Sequence, residues 1–520
     1  LCAFLVHQGA ALMRTLRGAL FILTALTLLA GCAKPAPGGG TSMQPIEPPT
    51  PATASISAET MIAGMPTPRE PGDPYLTPTP NAPRTLPTLR TDLEQYVVQW
   101  GDSLAYIASL YNLELADVIA ANDLANPDAL EIGQIINVPA PKPSTTPSDF
   151  KIIPDSELVY GPASATLDLE GFIKSQNGYL ADHSEKVGEE TMSGIEIVDR
   201  VSREFSVNPR LLLALLEYRS GWVTSRQIGA EKVDYPMGYV HQYYKGLYMQ
   251  LAWTANMLNR GYYLYKINAL SHTPFSNSGL APLSNVINPG TAAVQYMLGL
   301  NSGPNAWQKA VSEQGVYQTY TQFFGIPFDL AIEPLLPPDL AQPELLLPFE
   351  DEVVWSFTSG PHAGWGSGSA WAALDFAPPG DQFGCFLSDE WVTASADGVI
   401  TRSENGIVVI DMDGDGLEQT GWTILYLHIE SRDRIAAGTR VKAGDRLGHA
   451  SCEGGVADGT HVHIARRYNG EWISADTNMP FVLSGWVSAG CGDEYCGTMS
   501  RDGVIVESWN GRVDENQIGR

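Results

Sequence analysis

Residues 459–465, with the sequence Gly-Thr-His-Val-His-Ile-Ala, narrow the possible folds of this chain more than any other segment. Alternate side chains of a β-strand leave on the same face, so a strand here would direct His461 and His463 towards one site. Val462 and Ile464 supply the apolar content of such a strand. Two imidazoles at this spacing can share a Zn²⁺ ion, or one can bind metal while the other transfers protons. Two histidines on a solvated strand face are the alternative.

More potential metal ligands lie in the same third of the chain. His362 precedes a glycine- and serine-rich loop that leads to Asp375, and His428 ends an apolar strand predicted over residues 422–429. Zn²⁺ in hydrolases typically takes three protein ligands and leaves a fourth position for water. Three separate segments therefore offer four histidines and one aspartate. His449 matches no functional position and is predicted to lie in a surface loop.

The combined pattern resembles the M23 family of zinc peptidases, the lysostaphin and β-lytic endopeptidases that cut bacterial peptidoglycan. The family carries a first His and Asp, a Tyr-x-His strand, a v-x-x-G-d-x-x-G passage and a terminal His-x-His. The corresponding residues here are His362 and Asp375, Tyr426-Leu427-His428, Val441 to Gly448, and His461-Val462-His463. The resemblance covers roughly residues 350–480, and the long glycine-rich gap between the first His and Asp is similar to the β-lytic branch. It implies zinc ligands His362, Asp375 and His463.

The same resemblance implies catalytic roles for His428 and His461. Zn²⁺ lowers the pKa of a bound water towards ~7 and polarises the scissile carbonyl. His461, beside the metal, is the expected general base, and His428 is expected to donate to the oxyanion or to the leaving amine. Either imidazole could serve either step.

The N-terminal segment has the pattern of an export signal. Residues 13–17 are basic in character, and the apolar run that follows ends at Ala30, which is too short to span a membrane. Leu29-Ala30-Gly31-Cys32 resembles a bacterial lipobox, which implies a lipoprotein signal peptide over residues 1–32 and lipid attachment at Cys32. An ordinary signal peptide with a chance cysteine is the alternative. We therefore expect an extracytoplasmic, lipid-anchored protein associated with the cell wall.

Four further cysteines agree with export. Cys385, Cys452, Cys491 and Cys496 form an even set, which predicts disulfides in an exported protein, and four cysteines permit three pairings. Cys491 and Cys496 would close a small loop, which leaves Cys385 with Cys452. Zinc binding by these cysteines is the alternative, but the C-x₂-C spacing is missing.

Acidic residues outnumber basic ones by 58 to 31, which gives a net charge of −27. A chain of this charge is repelled by nucleic acid, so nucleic acid is excluded as a partner. Asp411, Asp413 and Asp415 are spaced like the start of a calcium loop, but Trp422 stands where an EF-hand needs its glutamate. A hairpin turn is therefore favoured here, with Ca²⁺ left open as a structural ion.

With 520 residues, the chain is long enough for several domains. Residues 33–93 are rich in Pro and Thr, which predicts a disordered linker. Residues 94–140 predict a strand, a helix capped by Asp102 or Ser103, a second helix and a closing strand. This βααβ pattern resembles a LysM module, which implies binding of peptidoglycan glycan chains in a groove before the first helix and after the second.

Residues 150–345 have helical periodicity and resemble the lysozyme-like fold of lytic transglycosylases. That family places its catalytic Glu directly before Ser-Gly, whereas here Arg219 precedes Ser220-Gly221 and Glu217 stands two positions earlier. Two positions rotate a side chain by about 200° around a helix, so Glu217 would not substitute. An inactive, substrate-binding domain is expected, with a working glycosidase as the alternative.

Residues 346–485 are the predicted peptidase domain and residues 486–520 a C-terminal extension. The predicted fold class is multidomain α+β: a small βααβ LysM domain, a helical lysozyme-like domain and a mostly antiparallel β domain. The predicted function is hydrolysis of peptide bonds in peptidoglycan with one Zn²⁺ per chain, on a wall contacted through LysM. The alternative is a non-catalytic peptidoglycan-binding protein that recruits or activates another hydrolase.

Overall fold

A computed structural model describes residues 80–124 and 126–520. The predicted signal peptide, Cys32 and most of the predicted linker lie outside the described residues. In the part of the chain that the structure describes, no helix is both long and apolar enough to cross a membrane.

The end of the predicted linker is not a free tether. Residues 80–93 contain neither helix nor strand, yet the backbone N–H of Asn81 donates to the carbonyl of Val286 at 2.8 Å. The backbone N–H of Arg84 donates to the carbonyl of Asn285 at 2.9 Å. Because these backbone groups are hydrogen-bonded to the helical domain, the prediction that the disordered linker extends to residue 93 is wrong.

The first domain has the predicted βααβ order. Its elements are β1 (Glu94–Val97), α1 (Leu104–Leu110), α2 (Leu115–Ala120) and β2 (Ile135–Val138). The two strands pair antiparallel, and Ser103 caps α1 by accepting from the backbone N–H of Tyr106 at 3.1 Å. Ile107, Val118 and Ile136 are fully buried, so the module has its own small core.

The second domain is helical with two short hairpins. Its elements are α3 (Leu169–Gln176), α4 (Tyr179–Asp182), β3 (Ser184–Val187), β4 (Glu190–Ser193), α5 (Gly194–Phe205), α6 (Pro209–Ser220), α7 (Ala230–Asp234), α8 (Leu247–Lys266), β5 (His272–Pro274), β6 (Leu280–Pro282), α9 (Pro289–Leu300), α10 (Pro304–Ala310) and α11 (Gln318–Phe324). Ser193 and Glu196 form a capping box that fixes the start of α5. Helix α6 is apolar on nearly all sides because it is buried inside the domain.

The third domain is built from antiparallel strands. Its first ten strands are β7 (Trp355–His362), β8 (Ala373–Ala377), β9 (Trp391–Thr393), β10 (Gly398–Glu404), β11 (Ile407–Asp411), β12 (Trp422–Leu427), β13 (Arg440–Val441), β14 (Arg446–His449), β15 (Val462–Tyr468) and β16 (Glu471–Trp472). The main sheet has the order β13-β10-β11-β12-β15-β8-β7, with β16 paired to β15. This order brings β7, β8 and β15 side by side, although 84 residues of chain lie between the end of β8 at Ala377 and the start of β15 at Val462.

The C-terminal segment completes this domain. Its strands are β17 (Val482–Leu483), β18 (Trp486–Gly490), β19 (Gly497–Arg501), β20 (Val504–Glu507) and β21 (Gln517–Ile518). β21 extends the main sheet by pairing with β7, and Trp486, Met499 and Val506 belong to the hydrophobic core of the sheet. The structure therefore differs from the predicted boundary at residue 485, because these short strands bury their apolar residues against the peptidase sheet.

Candidate metal centre

The sheet order places three potential ligands at one point. His362 is the last residue of β7, Asp375 lies in β8, and His463 lies opposite Asp375 in β15. The β7–β8 register shifts between Ser359 and His362, and such an irregularity redirects side chains at the end of a strand. All three of these residues are buried.

Three ligand atoms converge in this place. His362 Nε2 lies 3.0 Å from His463 Nδ1, and each of these nitrogens lies 3.2 Å from Asp375 Oδ1. Asp375 Oδ1 is buried and has no hydrogen-bond partner within the described residues. Burial of a carboxylate oxygen without a hydrogen-bond partner beside two ring nitrogens is unfavourable in free energy unless a cation completes the group.

The dimensions suit a tetrahedral metal ion. Ligands held at about 2.0–2.1 Å from Zn²⁺ in tetrahedral geometry lie roughly 3.3 Å apart, close to the distances between these three atoms. Two imidazoles and one carboxylate are also a common donor set for catalytic zinc, with the fourth position left for water. The residues present therefore fit the ion that the sequence predicted.

Hydrogen bonds to the backbone fix the tautomers of the two histidines in this group. His362 Nδ1 lies 2.8 Å from the carbonyl of Gly360, and His463 Nε2 lies 3.1 Å from the carbonyl of Gly364. Because a carbonyl can only accept, these nitrogens carry the protons and donate. In the neutral rings, His362 Nε2 and His463 Nδ1 are left with lone pairs that point into the group, as a metal ligand requires.

The other two histidines lie beside the ligand group. His461 Nε2 is 3.8 Å from Asp375 Oδ2, and the rings of His428 and His461 are 4.4 Å apart. His428 follows β12 with a φ of 67°, a left-handed conformation that is rare for a non-glycine residue and clusters at functional sites. A Cβ at Gly455 would lie 3.2 Å from His428 Cε1, so glycine leaves the edge of this imidazole free.

These two histidines have the same tautomer as each other. His428 Nδ1 donates to the carbonyl of Glu453, and His461 Nδ1 donates to the carbonyl of Gly459, both at 2.8 Å. The Nε2 atoms therefore carry lone pairs in the neutral rings.

The charges of the group are strongly coupled. Burial opposes the charged form of Asp375, but His362 and His461 outweigh it and hold the pKa of the carboxyl well below its usual value. Burial, together with the neighbouring His461 and His463, lowers the pKa of His428 to about 3. Burial also lowers the pKa of His463. Burial opposes the charged form of His362, but Asp375 outweighs it and raises the pKa of this ring above its ordinary value. A cation would therefore bind the anionic Asp375 together with the neutral rings of His362 and His463, and would displace any proton on His362 Nε2.

Two other sequence predictions have clear outcomes. His449 is buried in β14 against Trp391, with ring centroids 3.9 Å apart, so its prediction as a surface-loop residue is wrong. The segment around Asp411, Asp413 and Asp415 connects β11 to β12 as predicted, and its carboxylates come within 4.8 Å of one another. Burial and the neighbouring Asp411 raise the pKa of Asp413 to about 7, and calcium binding here stays a prediction.

The four cysteines form the two disulfides Cys385–Cys452 and Cys491–Cys496. The first joins the loop after β8 to the loop after β14, near the carbonyl of Glu453 that orients His428. The pairing predicted from the small 491–496 loop is confirmed.

The second disulfide loop brings Tyr495 to the candidate metal centre, a contact that the sequence analysis missed. The ring of Tyr495 stacks on His362 with centroids 4.9 Å apart. Its backbone N–H donates to the carbonyl of Pro361 at 3.1 Å, and its carbonyl accepts from the N–H of Gly360 at 2.7 Å. A tyrosine inside a short cysteine-bounded loop was the only available signal.

In the helical domain, the carboxylate of Glu217 accepts from the backbone N–H groups of Val223 and Thr224 at 3.0 and 3.1 Å. Arg219 donates to Ser302 Oγ at 3.1 Å, at the end of α9. Both side chains thus hold turns of this domain together. Whether this domain is an inactive relic or a working glycosidase, and its lysozyme likeness, both stay predictions.

Comparisons with protein families agree with this architecture. Residues 96–139 match the LysM domain model, residues 151–336 the model of the LasA N-terminal domain, and residues 380–475 the model of peptidase family M23. The chain thus contains a LysM domain and an M23 peptidase domain. The matched part of the latter contains His428, His461 and His463 but begins after His362 and Asp375.

Individual relatives were also found. Protease LasA of Pseudomonas aeruginosa is 26% identical over 340 residues, which is 62% of this chain and 74% of that protein. Among solved structures, the deep-sea M23 metalloprotease pseudoalterin is 25% identical with a TM-score of 0.28, covering 35% of this chain and all of that chain. A zinc-containing peptidase from Vibrio cholerae is 20% identical with a TM-score of 0.20, covering 27% and 41% of the two chains.

Proposed function

We propose that this protein is a zinc-dependent endopeptidase that hydrolyses peptide bonds in bacterial peptidoglycan. The convergence of His362 Nε2, Asp375 Oδ1 and His463 Nδ1 around an orphaned carboxylate oxygen carries the proposal. In the same proposal, His428 and His461 are the catalytic histidines. The M23 and LysM domains support a substrate in the cell wall.

Zn²⁺ held by these three residues would supply Lewis acidity and a water of lowered pKa. His461 is the proposed general base, because its Nε2 lone pair points to the group and Asp375 lies close enough to stabilise its protonated ring. The same ring can then return the proton to the leaving amine. A backbone carbonyl holds its other nitrogen and so prevents the ring from turning away.

His428 is proposed to stay neutral and to accept a hydrogen bond through Nε2 from the attacking water. Donation to the oxyanion, the role suggested by sequence, requires a proton on Nε2, and a pKa of about 3 opposes that proton. The carbonyl of Glu453 holds the ring in this orientation. His461 and His428 would therefore divide proton transfer and water alignment between them.

Attachment to the wall is proposed to have two parts. LysM would bind glycan strands, and a lipid on Cys32 would anchor the chain outside the cytoplasm to a bacterial membrane. Both attachments raise the effective concentration of cross-links near the metal centre.

The test compares the wild type with His463→Ala, measuring zinc content by mass spectrometry of the metal and digestion of purified cell walls. Loss of His463 removes one of three ligands, so zinc content falls and digestion drops by at least about 100-fold. His241→Ala, which changes an exposed histidine of the helical domain, is the matched control and keeps both properties.

Two results would contradict the proposal. Digestion retained by His463→Ala would refute the zinc assignment. Zinc binding by the wild type without any release of peptides from cell walls would favour the non-catalytic, hydrolase-recruiting alternative.

A further inference from the structure

We propose that the helical domain is a positioning part of the metal centre, acting through Asn256 of α8 on the loop of residues 363–372. This loop joins His362 at the end of β7 to the strand that carries Asp375. The inference rests on the proposed function, because it concerns the geometry of the same metal centre.

The side chain of Asn256 holds the tip of this loop. Asn256 Oδ1 accepts from the backbone N–H groups of Ser367 and Gly368 at 3.0 and 2.8 Å. Asn256 Nδ2 donates to Ser367 Oγ at 3.0 Å. One amide thus satisfies two backbone donors and one hydroxyl of a segment more than a hundred residues away.

The glycines of the loop are explained by the same contact. A Cβ at Gly368 would lie 1.9 Å from the backbone oxygen of Asn256, and a Cβ at Gly366 would lie 2.6 Å from Asn256 Oδ1. Gly366 also has a φ of 64°, which disfavours other residues. The long glycine-rich gap between the first two ligands is therefore shaped by the helix that lies on it.

The loop also orients His463, the third proposed metal ligand. The carbonyl of Gly364 accepts from His463 Nε2 at 3.1 Å, and this bond fixes the tautomer of His463. The loop is closed on itself, since Gly364 N–H donates to the carbonyl of Ala370 at 3.1 Å and Trp365 N–H donates to Ser369 Oγ at 3.0 Å. These bonds connect the tip held by Asn256 to Gly364.

A second contact supports the same side of the loop. Gly364 packs against the ring of Trp472, where a Cβ would come within 2.6 Å of the ring. The backbone N–H of Trp472 donates to the hydroxyl of Tyr263 on α8 at 2.9 Å. Helix α8 thus supports both the loop tip and the ring beneath Gly364. Asn256 is a positioning residue, because it touches no reacting atom.

The test uses the full chain and has two readouts. Zinc affinity is measured by competition with a chelator, and the visible spectrum is recorded for the Co²⁺-substituted protein. Partners that orient metal ligands typically contribute 10- to 100-fold to affinity, so Asn256→Ala is expected to weaken zinc binding about 10-fold and to change the Co²⁺ spectrum. Asn256→Asp keeps the oxygen that accepts from the two N–H groups and is expected to rescue both readouts. Asn285→Ala, an exposed asparagine of the same domain away from the loop, is the control.

Unchanged zinc affinity and an unchanged Co²⁺ spectrum in Asn256→Ala would overturn the inference. Ser367→Ala removes only the hydroxyl that accepts from Asn256 and leaves the two backbone N–H groups paired, so an affinity close to wild type supports the inference and a loss as large as that of Asn256→Ala opposes it. Failure of the proposed function looks different, since the wild type itself would then bind no zinc or release no peptides.

Discussion

Tyr495 contacts His362 from outside the strands that carry the ligands, and its stacked ring limits how far the imidazole can turn. Tyr495→Ala is expected to weaken zinc binding by roughly 10-fold, because it removes a neighbour that orients a ligand. Tyr495→Phe keeps the stacking and is expected to bind zinc like the wild type. Chelator competition measures both variants. Equal losses in the two variants would show that the hydroxyl, and not the ring, matters.

His428 makes the stability of the zinc-free protein depend on pH. Its pKa is about 3 in the folded protein and 6.5 in an unfolded chain, so the unfolded state binds more protons between these values and stability rises with pH there. Lowering the pH from 7 to 5 is expected to cost about 2 kcal/mol through this residue. Thermal unfolding at both pH values should show a larger loss for the wild type than for His428→Gln. Parallel losses would contradict the assigned pKa.

The group of four histidines and one aspartate was predicted through the resemblance to the M23 motifs, since only His461 and His463 are related by local spacing along a strand. It missed Tyr495, since the stacking on His362 depends on a loop more than 130 residues later in the chain. It also misplaced His449, whose burial depends on the ring of Trp391 in a paired strand. The positions of both side chains depend on tertiary contacts and not on the local sequence pattern.

At the level of elements, Glu418 lies in the connection between β11 and β12 and links it by ion pairs to two other strands. Its carboxylate accepts from Arg402 on β10 at 2.9 Å and from Arg467 on β15 at 2.7 Å, and all three side chains are buried. Burial opposes ionisation, but the two guanidinium groups hold the pKa of Glu418 below its usual value.

Glu418→Gln is expected to lower the free energy of unfolding by about 3 kcal/mol, because it leaves two buried guanidinium groups without a charged partner. Denaturant unfolding followed by circular dichroism measures the loss. Glu404→Gln is the matched control: its side chain is 47% exposed and 3.7 Å from Arg203, so less than about 1 kcal/mol is expected. Similar losses of unfolding free energy in both variants would show that the burial of Glu418 with Arg402 and Arg467 does not matter.

Hairpins whose strands follow one another closely in the chain could be predicted from sequence. The predicted hairpin between β11 and β12 is present because apolar alternation and turn residues agree locally. The short strands β18 to β20 were assigned to an extension, since their pairing and their burial against the main sheet are not visible in a local pattern.

At the level of the whole molecule, Trp100 is the largest exposed apolar side chain of the LysM domain, 87% exposed directly before α1. If this face binds glycan strands, Trp100→Ala removes an aromatic anchor worth about 1–2 kcal/mol, so binding to insoluble peptidoglycan should fall roughly 10-fold. Co-sedimentation with purified walls measures it. Hydrolysis of a small soluble peptide should not change, and Tyr243→Ala, an exposed aromatic of the helical domain, should leave both unchanged. Wall binding unaffected by Trp100→Ala would place the glycan site elsewhere.

The order of a LysM region, a helical region and a mostly antiparallel β region followed from shifts in composition and periodicity, and the element order and the family models agree with it. How the parts meet was not predictable, because the contacts of α8 with the third domain depend on single residues such as Asn256 and Tyr263.

That contact restricts how these domains can be exchanged between related proteins. A donor peptidase domain with side chains at the positions of Gly366 and Gly368 would collide with Asn256 on α8, with its side-chain amide at the first position and its backbone at the second. A donor with a shorter loop would leave the amide of Asn256 without its partners. Chimeras should therefore be built by transferring the helical and peptidase domains as a pair, whereas the LysM module, which has its own core, can be replaced alone.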